Sequence, residues 1–140
     1  MAPEHVSPEV LKRMGKPEIE IYDRFKRLFT DENRRISKKQ YLLPYFISAH
    51  PGSDLDAAIE LALYLKKTRF IPRQVQDFYP TPGALSTCMY HTGIDPRNGE
   101  KVYVPKSDRE RNRQRAMLQF HLKENHRAVR EALREAGRED

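Results

Sequence analysis

The chain is poor in the residues that mark secreted and membrane proteins. It has one cysteine, Cys88, and no tryptophan. A single thiol excludes an intramolecular disulfide framework and any all-cysteine metal site within this chain. No apolar run approaches the roughly 18 residues a membrane helix requires, and the mean hydropathy is −0.84. The opening MAPEHVSPEV is polar and lacks the apolar stretch of a signal peptide, so the expected location is cytoplasmic, with no membrane partner. Leu, Ile, Val and Phe make up about 22% of the residues, just above the level of roughly 20% below which a charged chain is usually disordered. A core is therefore expected, but a thin one. What the chain has in abundance is charge: 26 Lys and Arg against 20 Asp and Glu, a net charge of +6 in 140 residues. That length fits one domain at most.

Ser7 and Pro8 read as a helix cap and first helical residue, with Gly15 as the stop, so a short helix is predicted over Pro8 to Met14. From Glu18 to Phe29, the apolar Ile21, Tyr22, Phe25, Leu28 and Phe29 recur every three or four residues on one face of a second helix. A polar connection over Thr30 to Lys39 leads into YLLPYFISA, Tyr41 to Ala49, an apolar run of strand length that suits burial on both faces. Pro44 weighs against a central strand there. A helix then opens near Ser53 or Asp54 and ends near Lys67, and Arg73 to Pro80 alternates as a short strand. Strand, helix, strand predicts a parallel pair with a right-handed crossover. Thr81 to Gly93 reads as a loop with two helical turns around Ala84 to Tyr90, and Ile94 to Lys106 holds at most a small hairpin. From Ser107, one helix to Leu122 and another over His126 to Ala136 are predicted, the latter with Val129, Ala132, Leu133 and Ala136 as its apolar stripe.

Ligands of parallel α/β folds bind at the carboxyl ends of strands. In this chain those ends are the turns Ser48 to Asp54 and Phe78 to Gly83. Gly52 permits close backbone approach, and His50 is the one group in its turn that changes charge near neutral pH. Against this stands the plainer reading that Pro51, Gly52 and Asp54 only make a turn and cap a helix. The five histidines are scattered, and no metal site is expected. Cys88 and His91 are three apart and able to touch on a helical turn, yet Cys88 reads better as a small packing residue. Arg109, Arg111, Arg113 and Arg115 form the densest positive run, either a weak polyanion site for RNA or a solvated face laced with Asp108 and Glu110.

An ordered series of strings then adds a second kind of information. YLLPYFISAHPG, LALYLKK and QVQDFYPTPGALSTCMYHTG, preceded by APEH, VLKRMGKP and YDRF and followed by EKVYVPKSDRERNRQRAMLQFH and REALREAGR, resemble the YgiQ family of radical S-adenosylmethionine proteins over nearly the whole chain. The resemblance implies a partial (β/α) barrel whose early segment carries a CxxxCxxC motif for a [4Fe–4S] cluster, three thiolates leaving one iron for S-adenosylmethionine. This chain lacks that motif. It therefore reads as the C-terminal sector of such a barrel, residues 1–93 with parallel strands, followed by a mostly helical extension, residues 94–140. An internal start, a split gene or a truncated gene model would each account for Met1 before APEH.

By the same resemblance, Glu4 and His5 close a strand that faces the cofactor. Ile47, Ser48, Ala49, His50, Pro51 and Gly52 match a strand whose backbone touches the adenine, and Gln76, Phe78, Tyr79 and Pro80 stand on the substrate side. The expected function is to supply these strands to a radical enzyme of unknown substrate, inactive alone, with neither S-adenosylmethionine nor a [4Fe–4S] cluster bound by this chain by itself. Its expected partners are the missing N-terminal half of the barrel or a second copy of itself. The alternative is a small basic module that binds RNA or another polyanion through its arginine-rich helix.

Overall fold

The computed structural model describes residues 2–138. Within them, six helices surround a two-stranded parallel sheet: α1 (Pro8–Met14), α2 (Ile19–Arg35), β1 (Ile47–Ser48), α3 (Leu55–Thr68), β2 (Gln76–Asp77), α4 (Leu85–Thr92), α5 (Asp108–Leu118) and α6 (His126–Glu135), with a 3-10 turn at Lys123–Asn125. The architecture is mixed α/β and mostly helical.

The parallel pair joined by a helix is present, with Ile47 opposite Gln76 and Ser48 opposite Asp77. Both strands are far shorter than the segments predicted for them, Tyr41 to Ala49 and Arg73 to Pro80. Only Phe46 adds to the first, through a parallel bridge to Glu4 in which Glu4 N donates to Tyr45 O at 2.9 Å and Ile47 N to Glu4 O at 2.9 Å. Pro44 has no N–H to extend the ladder, and Tyr41 and Leu43 lie exposed. Glu4, β1 and β2 thus form three adjacent parallel segments.

Helix α1 ends where expected, at Gly15 in the left-handed conformation (φ 67°). Helix α2 continues six residues past Phe29, because Thr30 to Arg35 hold helical bonds of their own: Thr30 Oγ1 donates to Lys26 O, and Arg35 pairs with Glu32 one turn back. The expected polar connection is therefore half helix. Asp54 caps α3, its Oδ1 accepting from Ala57 N at 2.9 Å. Ser107 and Glu110 form a capping box at the start of α5, which stops at Leu118, four residues before Leu122. The expected hairpin is a single antiparallel bridge between Ile94 and Lys101.

Two buried clusters make the core. Val6, Phe46, Leu61, Leu65 and Leu118 unite the first segment, β1, α3 and α5. Ala58, Ile59, Ala62, Met117 and Ala132 join α3 and α5 to α6, with Val129, Leu133 and Ala136 packed beside them as the stripe requires. Helix α5 thus packs directly against α3. Among the described residues, no helix is long and apolar enough to cross a membrane.

Candidate functional site

Strand alternation sends neighbouring side chains to opposite faces. Phe46 and Ser48 point toward the helices, where Phe46 enters the core and Ser48 Oγ donates to Asp77 Oδ1. Asp77 receives Arg115 through both Nε and Nη2. Burial raises the Asp77 pKa, but the hydrogen bonds from Arg115 and Ser48 outweigh that, and the carboxyl sits below its ordinary value. The opposite face carries Tyr45, Ile47 and Gln76. Tyr45 is 40% exposed and its hydroxyl bonds the exposed Gln76.

The carboxyl ends of the three segments meet in a buried polar cluster. His50 Nδ1 lies 2.7 Å from Pro51 O, and a carbonyl only accepts, so Nδ1 carries the proton. His50 Nε2 then accepts from Ser86 Oγ at 2.8 Å. His5 Nδ1 accepts from Ser7 N at 3.1 Å, which leaves its Nε2–H directed at Ser53 Oγ, 3.4 Å away. Ser53 Oγ donates to Gln114 Oε1 at 2.8 Å, Ala49 N donates to the same oxygen at 3.0 Å, and Gln114 Nε2 returns a bond to Ser53 O at 2.6 Å. Each of these donors finds an acceptor within the cluster. Burial, reinforced by the neighbouring His50, pulls the His5 pKa down to about 3, and burial also lowers that of His50, so both imidazoles are neutral near pH 7.

Two of the four described non-glycine residues with a left-handed backbone lie at the same edge. Glu4 (φ 64°) and Ala49 (φ 59°) are left-handed without being glycine, a conformation that costs of order 1 to 3 kcal/mol and clusters at functional sites. The Glu4 carboxylate pairs with Lys16 at 3.0 Å. Gly52 (φ 93°) is required on two counts: its conformation, and a Cβ there would come within 3.0 Å of Arg13 Cγ. Its N–H donates to Tyr103 O at 2.7 Å. The close approach to Gly52 is thus made by the chain itself.

The cluster brings together His5, Ser48, Ala49, His50 and Pro51, all buried and engaged internally. Phe78 packs edge-on against His50 (centroids 5.0 Å apart) and beside Tyr90 (5.7 Å), and Phe78 N prolongs the ladder to Ser48 O. Tyr79 is 74% exposed and Pro80 half-buried, both leading away from the sheet. Cys88 is exposed, so it is not the packing residue expected. It faces outward on α4 while Met89 beside it takes the buried position. Among the described residues, no three His, Cys, Asp or Glu side chains stand close enough to hold a metal.

The arginine run is largely tied up. Arg115 and Arg111 reach Asp77, and Arg113 pairs with Glu135 at 2.6 Å, leaving Arg109 exposed. Sequence patterning did not single out Gln114, Ser86, Asp77, or the buried Asp95 held by Arg13 at 2.9 Å and Arg97 at 2.7 Å. Of these, only Asp95 had a local signal, Arg97 two residues on, whereas Asp77, Ser86 and Gln114 bond partners at least 29 positions away.

A family model described as a domain of unknown function, DUF3362, matches residues 73–140, so the matched region begins just ahead of β2. The UPF0313 protein of Clostridium botulinum (strain Okra / Type B1) is 57% identical over all 140 residues, which are 22% of its own length. That of Clostridium botulinum (strain Loch Maree / Type A3) is 58% identical, again with 22% covered, and that of Clostridium perfringens (strain 13 / Type A) is 54% identical, with 21% covered. No solved structure matches. The chain spans little more than a fifth of the length of the curated relatives it matches, and the similarity runs over all of that span: it belongs to the UPF0313, or YgiQ, family as one part of such a protein.

Proposed function

We propose that this chain supplies strands and strand-end turns to one wall of the cleft of a radical S-adenosylmethionine enzyme, and that it works against the remainder of a longer protein. One observation carries the reading. The parallel segments are covered by helices on the Phe46 and Ser48 face, while Leu43, Tyr45 and Gln76 on and beside the other face are exposed. Open parallel sheets of this kind are normally covered on both sides, and the interior of a (β/α) barrel is such a second side.

A [4Fe–4S] cluster does not fit the residues of this chain. Cys88 is a lone exposed thiol with no second or third ligand near it among the described residues, so on this reading ligation falls to other residues of the longer protein. An adenine-bearing cofactor does suit the chemistry of the open edge. Phe78 offers an apolar ring, and Gln76 and Tyr45 offer an amide and a phenol on the same side of the sheet. The role of His5, His50, Ser53 and Gln114 is to hold that edge rigid, since their polar atoms are consumed within the fold.

Binding between this chain and a separately produced remainder of a UPF0313 protein tests the reading. Ile47→Asp, which places a charge on the open face, is expected to abolish binding while leaving the helix-side core intact. Arg109→Ala, on the exposed side of α5, is expected to leave binding unchanged. Equal binding by the parent and Ile47→Asp would overturn the assignment.

A further inference from the structure

Unpaired positive charge gathers not on α5 but at the end of α2. Ser37, left-handed at φ 53°, reverses the chain after α2, and Lys38 N donates to Asn33 O at 2.9 Å. Asn33 Nδ2 donates to Gln40 O at 3.1 Å, which fastens the returning segment alongside the helix. A cleft of about 610 Å³ results, with Lys26, Phe29, Arg34, Lys38, Lys39 and Tyr41 among its walls and no carboxylate among them. Arg34 has Asp31 at 3.4 Å, an exposed pair that solvent screens. Lys26, Lys38 and Lys39 have no ion-pair partner among the described residues. Two aromatic rings share the cleft: Tyr41, 81% exposed, and Phe29, which stacks on Phe25 with centroids 6.1 Å apart.

We propose that this cleft binds a single strand of nucleic acid. Unpaired cations along a groove suit successive phosphates, and an exposed ring among them suits a base, the combination that defines sequence-tolerant single-strand sites. The alternative surface, α5, has the denser run of arginines in sequence but spends three of four on Asp77 and Glu135. A membrane would instead engage Ile21 and Leu28, which lie on the side of α2 away from the cleft cations at 100° per residue. This site is independent of the cofactor reading above.

The test is fluorescence anisotropy of labelled oligo-U and oligo-dT, each about twelve nucleotides long, with the 140-residue chain between about 50 and 200 mM salt. Three variants at exposed residues are compared with the parent. The double change Lys38→Ala with Lys39→Ala is expected to weaken binding at least tenfold at low salt and to flatten the log–log salt slope by about 1.4, two contacts at about 0.7 each. Tyr41→Ala is expected to weaken binding about fivefold or more at every salt concentration with the slope unchanged, and Tyr41→Phe to restore it. Preference for oligo-U or for oligo-dT names the natural strand, and either supports the site. An unchanged affinity in Tyr41→Ala, an unchanged slope in the lysine double variant, or binding of phosphatidylserine vesicles with no oligonucleotide binding at low salt would each overturn it.

Discussion

At the residue scale, the buried imidazoles set how the fold responds to acid. An unfolded histidine titrates near 6.5, whereas His5 in the fold is held at about 3. The unfolded chain therefore binds the extra proton, and stability contributed by neutral His5 is complete above about pH 6.5 and lost as pH falls toward 3. Between pH 7 and 5 the loss from this one group is about 2 kcal/mol. Urea unfolding of the parent and of His5→Gln across that range checks this: the variant is expected to show a shallower pH dependence, and an identical slope would contradict it. Asp95 acts in the same direction but at lower pH, because the hydrogen bonds from Arg97 and Arg13 hold its carboxyl well below the usual range. Gly52→Ala is expected to cost about 1 to 2 kcal/mol, from the left-handed backbone together with the Arg13 side chain in the way. Thermal melts would register that as a drop of several degrees, while an unshifted melt would contradict both the backbone cost and the Arg13 obstruction. His50 was visible in the sequence as the titratable group of its turn, but its Ser86 partner lies 36 residues on and no local pattern could pair them.

At the scale of elements, α5 acts as a brace. Gln114 accepts from Ala49 N and Ser53 Oγ and donates to Ser53 O, so one side chain ties the strand end to the start of α3. Gln114→Ala leaves buried polar groups of both unpaired, at a cost of about 1 to 3 kcal/mol. Hydrogen exchange is the direct readout: the Ala49 amide is expected to lose protection well beyond any change at Leu65, in the last turn of α3. Equal protection in parent and variant would show that the brace is dispensable. Helix identities were legible because periodicity and caps are local, as at Gly15, Asp54 and the apolar stripe of α6. Lengths were less so. Helix α2 overran its apolar stripe because polar residues supplied one-turn pairs, and the strands fell short because an apolar run does not create a partner for its N–H groups. The run Tyr41 to Phe46 is apolar, yet the described structure gives most of it nothing to pair with.

At the scale of the molecule, the exposed Leu43, Tyr45 and Tyr41, the half-buried Ile47, and the apolar stripe of α2 leave considerable apolar surface in water. Such patches mark docking faces or drive association. The chain alone is expected to self-associate, with a sedimentation coefficient that rises with concentration, and Leu43→Ser with Ile47→Ser is expected to suppress the rise. A concentration-independent monomer with a sharp cooperative melt would count against an uncovered sheet face. The parallel pair and the strand-end turns were readable from pattern alone. Membership in a longer protein came from the ordered strings rather than from any feature of composition.

Whether this chain forms one wall of a radical enzyme is decided by anaerobic reconstitution with iron and sulfide of the chain, alone and mixed with the remainder of a UPF0313 protein, read by iron content, absorbance and S-adenosylmethionine cleavage. The expected result is no cleavage by this chain alone, and cleavage in the mixture that is lost when Ile47→Asp replaces the parent. Cleavage by the remainder at full rate without this chain, or a mixture indifferent to Ile47→Asp, would contradict it.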